Sequence, residues 1–235
     1  GAPIKRETAW RSMYSDISKR TSSTPNSFAN CLVTSVLPTP VGPANTKLPI
    51  RMSIKSIKKG TILIAKPSLS NDIFQRSVIL IIESSESSVI GLIVNHISYF
   101  LVSELIAEMT NFDELIYEGG PVEPNEYFCI HRQPDIIEES HLIKNGFYWT
   151  SKMENVAKAL LNGSIYSHEI KMFMGYCGWI PSQLKDEIND RFWEVLDLDF
   201  DPIEHCDAEL WREIMKKLGG HNLLWLNTPE DPSMN

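Results

Sequence analysis

The sequence predicts an α+β fold with a single compact domain, and three observations carry that expectation. Several short β-rich runs precede the first helical pattern, and later helices are separated by single strands. The regular strand–helix alternation of a doubly wound sheet is missing. With 235 residues and 43% hydrophobic content, the chain can bury one full core.

Thr61–Pro67 (TILIAKP) and Ser77–Ser84 (SVILIIES) are rich in strand-forming residues, and Val89–Asn95 (VIGLIVN) follows a Ser/Glu turn. The short spacing of the last two predicts an antiparallel hairpin. Leu101, Leu105 and Met109 recur at helical spacing, which predicts a helix over 101–109. A strand at Leu115–Glu118, a turn at Gly119-Gly120-Pro121 and a strand at Tyr127–His131 come next. A short strand at Phe147–Trp149 precedes Ser151-Lys152-Met153-Glu154, a capping-box pattern opening a helix that Asn162-Gly163 ends near Leu161.

The central stretch is Met172–Arg191. A buried strand at Glu169–Met174 is predicted to run into a glycine-punctuated turn, Gly175-Tyr176-Cys177-Gly178-Trp179, with Gly178 at a position needing positive φ. A helix opens at Pro181, where a missing N–H costs nothing. Ile180, Leu184 and Ile188 share one helix face, while Gln183, Glu187 and Arg191 line the neighbouring one. Beyond it, Trp193–Leu198 reads as a strand. Asp207–Leu218 reads as the last helix, with Gly219-Gly220 past its end. The chain holds no internal repeat.

Charge is divided unevenly. Residues 1–51 carry seven Lys/Arg against Glu7 and Asp16, a net +5, so the rest of a chain of net −8 holds −13. A body that acidic repels phosphate backbones, which disfavours direct nucleic-acid binding. The segment 1–51 is basic and rich in Ser, Thr and Pro, which resists apolar periodicity. Its composition superficially fits a transit peptide, yet the expected reading is an over-called start or leader, with the natural start at Met52 and one domain over 52–235. Cys31, Cys129, Cys177 and Cys206 are scattered without a CxxC pair, so free thiols in a reducing cytoplasm are expected. His205-Cys206 alone is a weak zinc signal, and no metal or cofactor is expected. No apolar run reaches the ~20 residues of a membrane span.

Residues 59–235 resemble the AlgH/YqgE family, bacterial proteins of unsettled biochemical function that are often labelled transcriptional regulators. The matching pieces are Gly60-x-x-Leu63-Ile64-Ala65-x-Pro67, Phe74-x-Arg76-Ser77-Val78 and Gly91-Leu92-Ile93-Val94-Asn95. Gly119-Gly120-Pro121-Val122, Gly175-Tyr176-x-Gly178-Trp179-x-x-x-Gln183-Leu184-x-x-Glu187 and Asp231-Pro232-Ser233-x-Asn235 complete the set. The resemblance implies a branched, partly barrel-like mixed sheet flanked by helices, and it supplies no activity. His96-Ile97-Ser98, Cys177 and Ser182 depart from the family pattern.

Candidate site residues are Arg76, Asn95, Gly119, Gly120, Pro121, Tyr176, Gly178, Trp179, Gln183 and Glu187. Each has a structural alternative. The glycine turns lack P-loop or GxGxxG spacing and read first as turns. Tyr176 and Trp179 either stack a ligand or anchor the core. Arg76 and Asn95 either point into a cavity or brace a loop. Glu187 is placed to pair with Arg191 on a solvated helix face. Cys177 is out of register for a nucleophile elbow, and His131, His141 and His168 stand isolated. The leading expectation is a non-enzymatic regulatory or adaptor protein that binds a protein or small molecule through 119–122 and 175–187. The alternative is a hydrolase or transferase using the Pro181 helix start for a small anionic substrate. Direct DNA binding comes third, against the charge.

Overall fold

The computed structural model describes residues 57–66, 73–197, 201–204 and 207–227. The expectations for segment 1–51, Met52, Cys31, Pro67, His205-Cys206 and the closing Asp231–Asn235 piece fall outside the described residues. Ten strands lie in one sheet: β1 (Ile62–Ala65), β2 (Val78–Ser84), β3 (Val89–Ile93), β4 (Ile97–Leu101), β5 (Leu115–Glu118), β6 (Val122–His131), β7 (His141–Lys144), β8 (Phe147–Thr150), β9 (Lys171–Trp179) and β10 (Trp193–Leu196). The order is β10-β1-β2-β3-β9-β6-β8-β7, with β5 pairing β9 and carrying β4. All pairings are antiparallel except β5 with β9. Among the described residues four α-helices accompany the sheet: α1 (Val102–Leu105), α2 (Met153–Leu161), α3 (Pro181–Asn189) and α4 (Leu210–Leu218). The sheet is the branched, curled half-barrel of an α+β protein.

Three glycines make the branch possible. The first half of β9 pairs with β5 (Phe173 with Tyr117), and its second half pairs with β3 (Cys177 with Gly91). The switch falls at Gly175, whose φ of 67° belongs to the left-handed region that glycine enters without a steric penalty. There β5 ends and Gly119-Gly120 crosses β9 at backbone contact. A Cβ on Gly119 would stand 2.4 Å from the Gly175 carbonyl oxygen, one on Gly120 2.2 Å from the Tyr176 carbonyl carbon, and one on Gly175 2.3 Å from the Gly120 carbonyl oxygen. The crossing is sealed by Gly119 N–H donating to Met174 O and Ile93 N–H donating to Gly119 O, both at 2.8 Å.

The core divides by sheet face. Tyr117, Phe128 and Phe173 share one buried cluster with Trp211, Ile214 and Met215 of α4, and the buried Trp211 indole donates to Ala65 O at 2.8 Å. On a second face Met172, Met174 and Ile116 pack with Val156 and Ala159 of α2.

Several expectations shift. Residues 175–179 continue β9 rather than turning, because Gly175 absorbs the bend within the strand while β3 pairs residues 177–179. The 101–109 helix is only the single turn α1, followed by extended Ile106 and a 3₁₀ turn at Ala107–Met109. Val102 and Ser103 N–H groups are drawn instead to Glu114 O and Phe112 O, and Ile106 turns inward to the core. β6 begins at Val122, five residues before its expected start at Tyr127, and β4 and β7 are strands that the sequence reading did not place. The capping box at Ser151 does not form, since Lys152 is the N-cap and lacks a side-chain bond. The hairpin β2–β3, the Pro181 opening of α3 and the Gly219 stop of α4 (φ 62°) stand as expected.

Candidate functional site

Arg76 and Asn95 meet at the start of β2. Asn95 is buried, its Oδ1 accepts the Val78 N–H at 2.8 Å and its Nδ2 donates to Arg76 O at 2.9 Å. These bonds hold Arg76 at φ 55°, a conformation disfavoured for a side-chain-bearing residue. The Arg76 guanidinium lies 5.6 Å over the Trp211 ring. Asn95 is thereby a loop brace.

A second cluster forms under α3. Glu187 is 7% exposed and turns inward, not toward Arg191. Its Oε2 accepts the indole N–H of Trp179 at 2.9 Å and of Trp193 at 2.8 Å, while Oε1 accepts from Gln183 Nε2 at 3.0 Å. The expected surface pair with Arg191 is replaced because two buried indoles need an acceptor, and an unpaired indole N–H in a core is costly. Arg191 sits beyond the helix end at φ 64°. Trp193 meets Trp179 edge-on at 6.1 Å and Phe74 at 5.5 Å. Sequence reasoning missed Trp193 and Phe74 as members of this cluster. The signal within reach was the need of each buried tryptophan for an acceptor.

Cys177 is buried beside this cluster and donates from Sγ to Gly119 O at 3.4 Å. Burial and the nearby Glu187 push its thiol well above the usual range, so it stays protonated and unreactive. Gly119, Gly120 and Pro121 are buried in the crossing described above. Gly178 is exposed, and a Cβ there would approach only the Tyr176 ring, at 3.2 Å from Cε2. Among the described residues Gly178 is not a positive-φ position; that role falls to Gly175.

Tyr176 points to the opposite face from Cys177. It is half-buried against Phe128, ring centroids 5.8 Å apart and near-perpendicular. Burial, with Glu123 and Glu126, raises its phenol above the ordinary range. The structure therefore gathers Trp179, Gln183 and Glu187, separately gathers Arg76 and Asn95, and leaves Tyr176 apart from both.

Two further titratable groups lie outside the expected site. Glu118 ends β5 beside the crossing, and burial pushes its carboxyl up to about 7. His131 is fully buried and burial pulls it down to about 4. Ser140 Oγ donates to Ile137 O at 2.5 Å, so the 2.9 Å contact with His131 Nε2 is an imidazole N–H donating to Ser140. His131 Nδ1 then accepts from Gln133 N–H at 3.1 Å. His131 is a neutral brace of the 132–140 loop, not the base of a Ser–His pair.

Among the described residues no group of three or more His, Cys, Asp or Glu is placed to hold a metal. No described helix is long and apolar enough to cross a membrane. A small cleft lies elsewhere, between Gly60, Leu80, Phe147 and Pro202, with room for roughly one water.

The described residues thus form a curled α+β half-barrel with a glycine crossing at its branch and an inward carboxylate beneath α3. The chain belongs to the AlgH-like family, whose model matches residues 62–223. It is 36% identical over 180 residues to a UPF0301 protein of Parabacteroides distasonis, covering 75% of this chain and 91% of that one. A UPF0301 protein of Chlorobaculum parvum is 32% identical over 180 residues, covering 76% and 96%. The fold is shared with a Corynebacterium diphtheriae protein solved by crystallography (TM-score 0.61, 22% identity, 75% of this chain and 95% of that one). It is also shared with the solution structure of AlgH from Pseudomonas aeruginosa (TM-score 0.57, 23% identity, 78% and 98%).

Proposed function

We propose that this protein is a non-enzymatic regulatory or adaptor protein of the cytoplasm that binds a protein partner through the outward side of the β9–α3 junction. One observation carries the reading. The polar groups that chemistry would need are turned inward and occupied: Glu187 by three N–H donors, Asn95 by two backbone groups, and Cys177 as a buried protonated thiol. Outward at the same junction stands an apolar side chain, Ile180, 52% exposed beside exposed Gly178 and half-buried Tyr176. Exposed apolar side chains at a rigid strand end suit a partner surface better than a reaction centre.

The test is unbiased capture of proteins and metabolites from native extract, comparing wild type with an Ile180→Glu/Tyr176→Leu double variant. A protein retained only by wild type is the expected result. Retention of a small molecule, with no protein dependent on these residues, would overturn the reading in favour of an enzyme.

A further inference from the structure

β4 lies at an edge of the sheet: among the described residues it pairs with β5 alone. Its run Ile97-Ser98-Tyr99-Phe100-Leu101 holds neither charge nor proline, the features that commonly guard a sheet edge. Ser98 is buried and Phe100 packs against the second core, so Ile97, Tyr99 and Leu101 turn to the opposite face. Leu101 stands across from Leu115 of β5, and cross-strand neighbours share a face. Ile97 is 41% exposed, Tyr99 80% and Leu115 45%, and none of them packs against either core cluster. The result is a contiguous apolar patch open to solvent.

Three features define what fits it. The backbone along the edge is already engaged: Phe100 N–H donates to Ser98 Oγ at 3.1 Å, Leu101 N–H donates to Glu104 Oε2 at 2.9 Å, and the register on β5 shifts between Ile97 and Leu101. A bulged edge with occupied donors resists an added strand, so contact comes through the side chains of the face. That face continues to Tyr117, across from Ile97, which lies in the buried cluster that the amphipathic helix α4 helps to form. A helix is thus how this fold covers the adjoining part of the same face. Ile97 to Leu101 spans at most about 13 Å, close to two helical turns. The third feature is charge. At the Leu101–Leu115 end stand Glu104, Asp113, which accepts from Ser103 Oγ at 3.2 Å, and Glu114, whose carbonyl accepts the Val102 N–H at 2.9 Å. All three side chains are exposed, and none forms an ion pair among the described residues.

We propose that the β4–β5 patch is a docking surface for an amphipathic helix of a partner protein. The helix lays its apolar stripe on Ile97, Tyr99 and Leu115 and sets a Lys/Arg-bearing last turn beside Glu104, Asp113 and Glu114. Apolar side chains at steps of four and three along such a helix match the length of the patch. Cations in its last turn also suit the negative end of the helix dipole. Three carboxylates without a counter-ion complement that end and repel nucleic acid and anionic membranes. The inference goes beyond the β9–α3 reading and does not rest on it, since Ile180 takes no part.

Fluorescence anisotropy with the full chain at physiological salt tests this. The probe is a labelled, capped fifteen-residue alanine-based helix with three leucines spaced i, i+4, i+7 and three arginines in its last turn. Saturable binding is expected, lost when the leucines become serine and weakened at least about threefold when the arginines become citrulline. Tyr99→Ser/Leu115→Ser, at exposed positions that the fold does not need, is expected to weaken binding about tenfold or more. Asp113→Asn/Glu114→Gln is expected to weaken it about threefold to tenfold and to flatten its salt dependence. Glu86→Gln/Glu213→Gln, exposed acids of the β2–β3 turn and of α4, is expected to change it less than about twofold. Ile180→Glu is expected to leave it unchanged, which keeps this surface distinguishable from the β9–α3 junction. No saturable binding by wild type, indifference to Tyr99→Ser/Leu115→Ser, or equal loss with both acid pairs overturns the proposal. A wild-type dimer in sedimentation equilibrium that Tyr99→Ser/Leu115→Ser turns into a monomer also overturns it, assigning the patch to a second copy of this chain.

Discussion

Glu187 is the residue whose replacement should report most directly on how α3 is held. Glu187→Ala leaves the Trp179 and Trp193 N–H groups, now bonded at 2.9 and 2.8 Å, without an acceptor in a buried site. Each stranded donor costs about 1–3 kcal/mol, and the lost packing adds more, giving about 3–6 kcal/mol. Glu187→Gln is milder. Its one remaining oxygen can serve both indoles, and Gln183 can flip its amide to accept from the new NH₂ group, so about 1–2 kcal/mol of charge assistance is lost. Adding Gln183→Leu removes the flip and should make the pair worse than the sum of the single variants. Urea denaturation followed by tryptophan fluorescence reads all four, after two-state behaviour is checked. A Glu187→Ala loss below about 1 kcal/mol would refute the account, because two buried indoles cannot lose their shared acceptor so cheaply.

Gly120→Ala and Gly175→Ala should each destabilise by at least about 3 kcal/mol or abolish folding, since a Cβ would stand within 2.2–2.3 Å of backbone atoms. Gly178→Ala should cost under about 1 kcal/mol in the same denaturation series, because only a movable Tyr176 ring edge faces it. His131 should make the protein acid-sensitive. The unfolded chain takes up its proton below about 6.5 while the folded one resists to about 4, so stability falls by up to about 3 kcal/mol as pH drops through that window. A pH series of melts comparing wild type with His131→Asn, which keeps hydrogen-bonding capacity without the titration, checks it. Glu118 has the opposite sign. Its folded carboxyl stays protonated up to about 7 against an ordinary 4.5, so stability falls as pH rises through that range, and Glu118→Gln should melt higher than wild type at pH 8. Residues 52–235, at net −13, should show no specific DNA binding at physiological salt; a submicromolar mobility shift without the basic segment would contradict that.

What the sequence made legible was local, and what it hid depended on contacts between distant strands. The β2–β3 hairpin and the Pro181 start of α3 rest on runs and stops within about ten residues, and both were readable. The inward face of α3 was not. Periodicity put Ile180, Leu184 and Ile188 inside and Glu187 beside them, yet Ile180 is exposed and Glu187 buried. Ile180 escapes because it is the N-cap, with extended φ −78° and ψ 146°, and so does not follow the helical repeat. Glu187 enters because Trp179 and Trp193, on two strands separated along the sheet, converge on one oxygen. A rule that places carboxylates outside is sound only until a donor pair is waiting inside. The glycines divide in the same way. Gly178 looked like the strained position because it sits near the helix, but the parallel approach of β5, far upstream at Leu115–Glu118, fixes the crossing at Gly119, Gly120 and Gly175. The glycines build the branch and the carboxylate anchors α3, while Tyr176, on the other face of β9, packs edge-on against Phe128.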